Sequence, residues 1–198
     1  MRRVALIVLL SIAAAAADDK DKARFAPGPA SSYSGHQTIE KITLAAVPFL
    51  AEEQVRTAFG KVNPYKYGVL PVLVILENNT GKALRLELEA EFIQADGRHT
   101  GATPASDVIY VGANPERRTV PTPGPLPLPR KPKKGPLNTW EIEGRALTVR
   151  MLPAGESVHG FVYFQTEYRP GARLYLTGVK DAASGKDYFY FEVPIEKQ

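Results

Sequence analysis

From residue 37 onward, apolar and polar residues alternate or collect in short apolar blocks, the period-two pattern of strands. Ile42, Leu44 and Ala46 alternate with Thr43 and Ala45 and mark a first strand. Residues 69–76, VLPVLVIL, are apolar throughout and are followed by the turn sequence NNTGK. So short a run, rich in β-branched side chains, predicts a strand buried on both faces. Leu84, Leu86, Leu88, Ala90 and Phe92 then alternate with Arg85, Glu87, Glu89 and Glu91. That spacing predicts a strand with one face on a core and the other, charged, in water. The short Asn/Gly turn between these two strands predicts a hairpin.

Further strands are predicted around Val108–Val111, within Trp140–Met151, and over 161–166, 174–179 and 188–193. In the second of these, Leu147, Val149 and Met151 would share the buried face. Turn sequences stand at 153–156, 169–171 and 183–185. One segment breaks the pattern. In FLAEEQVRTAF, residues 49–59, Leu50, Gln54 and Ala58 fall on one helical face, and Glu52 and Arg56 have the favourable i,i+4 order for an ion pair. Many short strands and little helix predict an all-β, antiparallel sandwich, with a closed barrel as the alternative.

Two stretches carry a resemblance. LPAGESVHGFVYF, residues 152–164, resembles a recurrent edge of immunoglobulin-like sandwiches, where a PxGE-type turn leads into a strand. AFGKVNPYKYGVLPVLVILENNT, residues 58–80, is similar to segments of uncharacterised exported bacterial proteins. Together they imply an immunoglobulin-like sandwich of about seven or eight strands over residues 37–198, with one short helix and a long Pro-rich loop. They also imply a bacterial source. Neither stretch brings catalytic or binding residues with it.

Three remaining segments are of a different kind. Arg2 and Arg3 precede an apolar run, Val4–Ile12, and then five alanines, Ala13–Ala17. A basic start, a short apolar middle and an A-x-A site are the layout of a signal peptide cleaved after Ala17, and the stretch is too short for a spanning helix. The expected location is periplasmic or secreted, with no transmembrane helix in the mature chain. Residues 18–36, dominated by charged residues, Pro, Gly and Ser, predict a flexible lead-in. Residues 121–136, PTPGPLPLPRKPKKGP, place proline at 121, 123, 125, 127, 129, 132 and 136. Proline donates no backbone hydrogen bond, so this segment is an excursion between strands.

Composition narrows the partners. The net charge is +4; Arg2 and Arg3 carry two of those charges and the RKPKK run of 130–134 carries four more. The rest of the chain is therefore slightly acidic, which excludes a broad nucleic-acid-binding face. With no cysteine, the exported domain depends on its core and not on disulfides.

Candidate chemistry is sparse. His36, His99 and His159 lie at no metal-ligand spacing, so no metal or cofactor is expected. There is no G-x-S-x-G, and the Gly185-Lys186 pair is followed by Asp187 where a P-loop needs Ser or Thr. No catalytic residue is assigned. Glu87, Glu89 and Glu91 read as a solvated sheet face with basic neighbours. Two features point to partners. Aromatic residues cluster in runs such as Tyr188-Phe189-Tyr190-Phe191, where both sheet faces must carry rings. The basic loop offers Arg130, Lys131, Lys133 and Lys134, and Tyr65 and Tyr67 precede the apolar strand. The expected function is a non-enzymatic binding or assembly module of the bacterial envelope, its partner another envelope protein or an anionic envelope polymer. The alternatives are an envelope-modifying hydrolase and a purely structural domain of a surface complex.

Overall fold

The computed structural model describes residues 25–113 and 133–197. The segment read as a signal peptide, and most of the Pro-rich loop with Arg130 and Lys131, lie outside the described residues. The strands, in chain order, are β1 (His36–Ile39), β2 (Ile42–Pro48), β3 (Leu70–Asn78), β4 (Leu84–Ile93), β5 (His99–Gly101), β6 (Met151–Leu152), β7 (Ser157–Phe164), β8 (Arg173–Asp181) and β9 (Tyr190–Pro194). The helices are α1 (Glu52–Phe59), α2 (Ala105–Val108) and α3 (Trp140–Gly144), with short 3-10 turns at Ala30–Ser32 and Pro64–Tyr67. No helix among the described residues is long and apolar enough to cross a membrane.

The strands form two antiparallel sheets. The first has the order β1-β2-β3-β7; the second has the order β5-β4-β8-β9, with β6 also paired to β4. Their facing sides make one core, in which Leu44, Val72, Val74 and Leu76 meet Leu86, Phe92, Leu174 and Phe191. The other side of the first sheet is not left to solvent. Ala45, Val47, Leu73, Ile75, Phe161 and Tyr163 there pack against Val55, Ala58 and Phe59 of α1, Val108 of α2 and Ile142 of α3. The stacking is therefore helices, first sheet, second sheet. β3 lies at its centre, and its first seven residues are buried. The outer side of the second sheet faces water, as the alternation of β4 requires.

Two predicted elements differ from their sequence reading. The segment around 108–111 is not a strand: Pro104 accepts hydrogen bonds from the N–H groups of Asp107 and Val108 and starts α2. Within 140–151, α3 occupies the first part and only Met151 and Leu152 pair as a strand. Val149 and Met151 are exposed, whereas Leu152 is buried. Glutamates in the first turn at 141 and 143 favour the helix through its dipole. Residues 25–35, read as part of a flexible lead-in, instead pack: Ala30 is buried and its N–H donates to Glu77 Oε1 at 2.7 Å. Glu52 pairs with Lys66 at 3.1 Å rather than with Arg56.

β3 and β4 are also not a hairpin, because β3 is already flanked by β2 and β7. The NNTGK turn instead carries the chain from one sheet to the other. Asn78 holds that corner. Its buried side-chain amide donates to the carbonyls of Lys82, Leu152 and Pro153, and its oxygen accepts from the Thr80 N–H and hydroxyl. Asp181 holds the adjoining one, accepting from the N–H groups of Ala183 and Ser184 and from Lys82 Nζ at 2.9 Å. These bonds keep the Asp181 carboxyl well below the usual carboxylate range; the Ser184 N–H contributes most and Lys82 next. Opposite the irregularity between Leu86 and Glu89 stands Gly178 at φ 85°, where a Cβ would collide with the Glu87 carbonyl oxygen.

Leu73→Ala opens a void on the helical side of the first sheet and Leu86→Ala one between the sheets. Each is expected to cost about 2–5 kcal/mol in denaturant unfolding, while Glu87→Ala costs a small fraction of that. Equal losses at Leu86 and Glu87 would refute the register. A depressed carboxyl contributes stability that is complete above its unfolded pKa, about 4, and is lost as pH falls toward its folded value. Asp181→Asn should therefore lower the melting temperature at neutral pH, and the gap to the wild-type protein should narrow steadily below about pH 4.

Candidate functional site

The outer side of the second sheet is laid out in rows fixed by strand register. Glu91, Tyr175 and Glu192 form one row, and Glu89, Thr177 and Tyr190 the next. Tyr175 and Tyr190 stack with ring centroids 5.3 Å apart. Charge on this face is paired across strands. Glu91 Oε2 lies 2.8 Å from His99 Nδ1, Arg173 lies 2.6 Å from Glu192, and Glu87 is shared between Lys180 at 2.8 Å and Arg85 at 3.2 Å. Lys180 holds the Glu87 carboxyl below its ordinary pKa. Of the three exposed glutamates of β4, Glu87 and Glu91 are paired with basic neighbours, and no group of three or more metal-ligating side chains exists among the described residues.

At the start of β9 the aromatic run divides. Tyr188 and Phe191 are buried in the core, while Phe189 and Tyr190 are 75% and 48% exposed. Strict alternation would have sent Phe189 and Tyr190 to opposite faces. It fails because Phe189 has φ 63°, the left-handed region that a bulky residue rarely adopts. Asp187 fixes that conformation by accepting the Phe189 N–H at 2.8 Å. The ring is left exposed at a conformational cost with no packing return.

A second site lies on the opposite side of the stack, where α3 meets the edge of β7. After Gly144 the chain turns and runs beside β7, with Arg145 O accepting from Phe161 N at 2.8 Å and Leu147 N donating to Phe161 O at 3.0 Å. Gly160 permits this approach, since a Cβ there would lie 2.6 Å from Leu147 Cα. The buried Tyr163 hydroxyl donates to Ile142 O at 2.8 Å and ties α3 to the sheet; burial pushes that phenol well up. These constraints deliver Arg145 between two rings, its guanidinium carbon 5.1 Å from the Phe25 centroid and 5.7 Å from the Trp140 centroid. His159 stands edge-on to Phe25 at 6.2 Å. Together with Gly160 and Phe161 these residues line a cleft of about 350 Å³. Arg145 Nη1 is buried without a hydrogen-bond partner. Burial lowers the Arg145 pKa, and burial together with the nearby guanidinium lowers that of His159.

The residues singled out in the sequence are dispersed. Tyr65 turns inward, half-buried, and its hydroxyl accepts the Tyr168 N–H at 3.2 Å. Tyr67 is 44% exposed and lies against Gly112, which also touches Pro136. That contact brings Tyr67 to the base of the Pro-rich excursion, where Lys133 and Lys134 are exposed. The histidines occupy three separate strands. Phe25, Trp140, Arg145 and His159 were not assembled from the sequence. The one local cue is the Gly144-Arg145 pair closing a short helix five residues after Trp140, and it becomes visible only once 140–144 is recognised as helical.

The chain matches no protein-family model, and no curated protein shows significant similarity to it. Its class is that of an antiparallel two-sheet β protein with a helical cover on one face and an open, aromatic-bearing sheet on the other.

Replacing Phe189 with Asn, which tolerates left-handed backbone, tests whether the ring serves the fold. The variant should unfold at the same temperature as the wild-type protein or slightly higher. A drop comparable to that of a core leucine would make Phe189 structural.

Proposed function

We propose that this protein is an exported, non-enzymatic binding or assembly module of the bacterial envelope, built on an immunoglobulin-like sandwich, with the outer side of its second sheet as the principal docking face. The observation that carries the reading is the exposure of the consecutive aromatics Phe189 and Tyr190, the second stacked on Tyr175. Exposed, rigid aromatics beside arginine and glutamate are the chemistry of interface anchors, since they bring large contact area at little entropic cost. Strand order supports the immunoglobulin-like assignment: β2-β3-β7 and β4-β8-β9 correspond to the A-B-E and C-F-G arrangements of such domains. The basic, apolar and alanine-rich order of residues 1–17 supports export and cleavage. The basic run 130–134 is assigned an accessory role toward an anionic envelope polymer, with Tyr67 at its base.

Cosedimentation with envelopes isolated from the producing bacterium tests this. The wild-type protein should pellet saturably. The Phe189→Asn/Tyr190→Ser variant, with an unchanged melting temperature, should lose at least about tenfold in apparent affinity, as expected of anchor residues. Serine at 130, 131, 133 and 134 should reduce the part of binding that added salt also removes. Full binding by the Phe189/Tyr190 variant would exclude this face, and failure of the wild-type protein to pellet would exclude the envelope reading.

A further inference from the structure

We infer that the cleft between α3 and β7 is a binding site for a carboxylate borne on an apolar body, such as the C-terminal residue of a peptide, with the Arg145 guanidinium as the anion-binding group and Phe25 and Trp140 as its walls. The inference concerns a different surface from the docking face proposed above and stands whether or not that face binds.

The starting point is what Arg145 lacks. A guanidinium carries five N–H donors in a planar fork. Arg145 makes no ion pair or side-chain hydrogen bond among the described residues, and its Nη1 is buried without an acceptor. Glu141 raises its pKa electrostatically, but burial outweighs that effect. A charged donor taken out of water and left unpaired is costly, and in folded proteins such groups are paired. The rings on either side hold the cation through cation–π contact, which uses none of its N–H groups. Arg145 lines the cleft while its Nη1 is closed to solvent, and the remaining N–H groups of the fork, which make no side-chain hydrogen bond among the described residues, match a planar two-oxygen acceptor in a bidentate pair.

The surroundings choose among anions. Among the described residues lining the cleft, Arg145 is the one standing cation, with Glu141 acting on it electrostatically from α3. His159, beside it, is disfavoured as a cation by its own burial and by Arg145. A single charge balances a monoanionic carboxylate and undercompensates a phosphate dianion. The walls are aromatic, so the group bearing the carboxylate gains by being apolar. The volume, about 350 Å³, suits one residue-sized group rather than an extended chain. The backbone defines the shape. Gly160 admits the 145–147 segment, and Gly144 accepts the Trp140 ring, whose Cε3 would lie 3.0 Å from a Cβ at that position.

The chain contains one tryptophan, and it lines this cleft, so intrinsic fluorescence reads the site directly. The probes are a panel of N-acetyl amino acids with free carboxylates, the matching primary amides, and inorganic phosphate. Each is titrated to about 20 mM, a range suited to fragment-sized ligands. At least one free acid should give a saturable change in Trp140 emission, with its amide at least tenfold weaker. Arg145→Met should abolish the response and Arg145→Lys should weaken it severalfold, because the ammonium lacks the fork. The Phe189→Asn/Tyr190→Ser variant should respond as the wild-type protein does, which separates this site from the outer face. If Arg145→Met does not fold, Arg145→Lys and the acid–amide comparison carry the test. Equal binding of acid and amide, an unchanged response in a folded Arg145 variant, phosphate binding as tightly as the best carboxylate, or no saturable response to any acid would each overturn the inference.

Discussion

The double-sided burial of β3 is the constraint from which the rest of the molecule follows. Seven successive apolar residues, Leu70–Leu76, leave that strand no face that can meet water. Covering one side takes a second sheet, and covering the other takes the helices. The second requirement is filled by short pieces gathered from distant parts of the chain: Ala30, α1, α2 and α3 all press on Ala45, Leu73, Ile75, Phe161 and Tyr163. Because none of these pieces is long enough to be stable alone, each is held by what it covers. The second sheet carries no such obligation. Its outer side, built from the alternating strand β4, keeps its charges and remains open.

This division explains which parts of the fold were legible in the sequence. β3 and β4 announced themselves, because continuous and alternating hydrophobicity are direct records of how many faces a strand buries. The sheet-to-sheet corner between them was not legible. An Asn/Gly turn serves a hairpin or a crossing equally well, and the choice depended on β2 and β7 claiming both edges of β3. The helical cover was the least legible part. Val108–Val111 is four residues long, and α3 takes only the first five residues of Trp140–Met151; over so few residues periodicity does not distinguish a helical turn from a strand. Misreading the second of these segments hid the cleft, since a strand would have pointed Trp140 and Arg145 to unrelated places. The exposed aromatic face was half visible. The run Tyr188–Phe191 required rings on both sides of the sheet, but the left-handed backbone at Phe189, where two consecutive rings are left exposed, depends on the Asx turn at Asp187.

The satisfied polar groups and the locally strained ones are different residues in this architecture. The buried polar groups at the corners are satisfied. Asn78 uses both its amide donor and its oxygen, Asp181 accepts at both oxygens, and together they lock the β3–β4 and β8–β9 connections. Where local rules are broken, at Phe189 and at Arg145, nothing in the core gains. Such departures, kept against their conformational or desolvation cost, are the observations on which the two proposed surfaces rest.

The energetics of Arg145 sharpen that distinction. An unsatisfied buried donor costs about 1–3 kcal/mol, and more when charged. Contact of the guanidinium with an aromatic face returns about 0.5–2 kcal/mol, so two rings come close to offsetting the loss of water without supplying an acceptor. The position of Arg145 is therefore tolerated rather than optimised. An arriving carboxylate finds the orientation cost already met by α3, Gly144 and Gly160, and gains the hydrogen bonds that the fold leaves unmade. The outer sheet face lies on the far side of two packed sheets from this cleft. A ligand in the cleft and a partner on the face would not compete for space, and the rigid sandwich between them would fix their separation, a geometry suited to joining two partners.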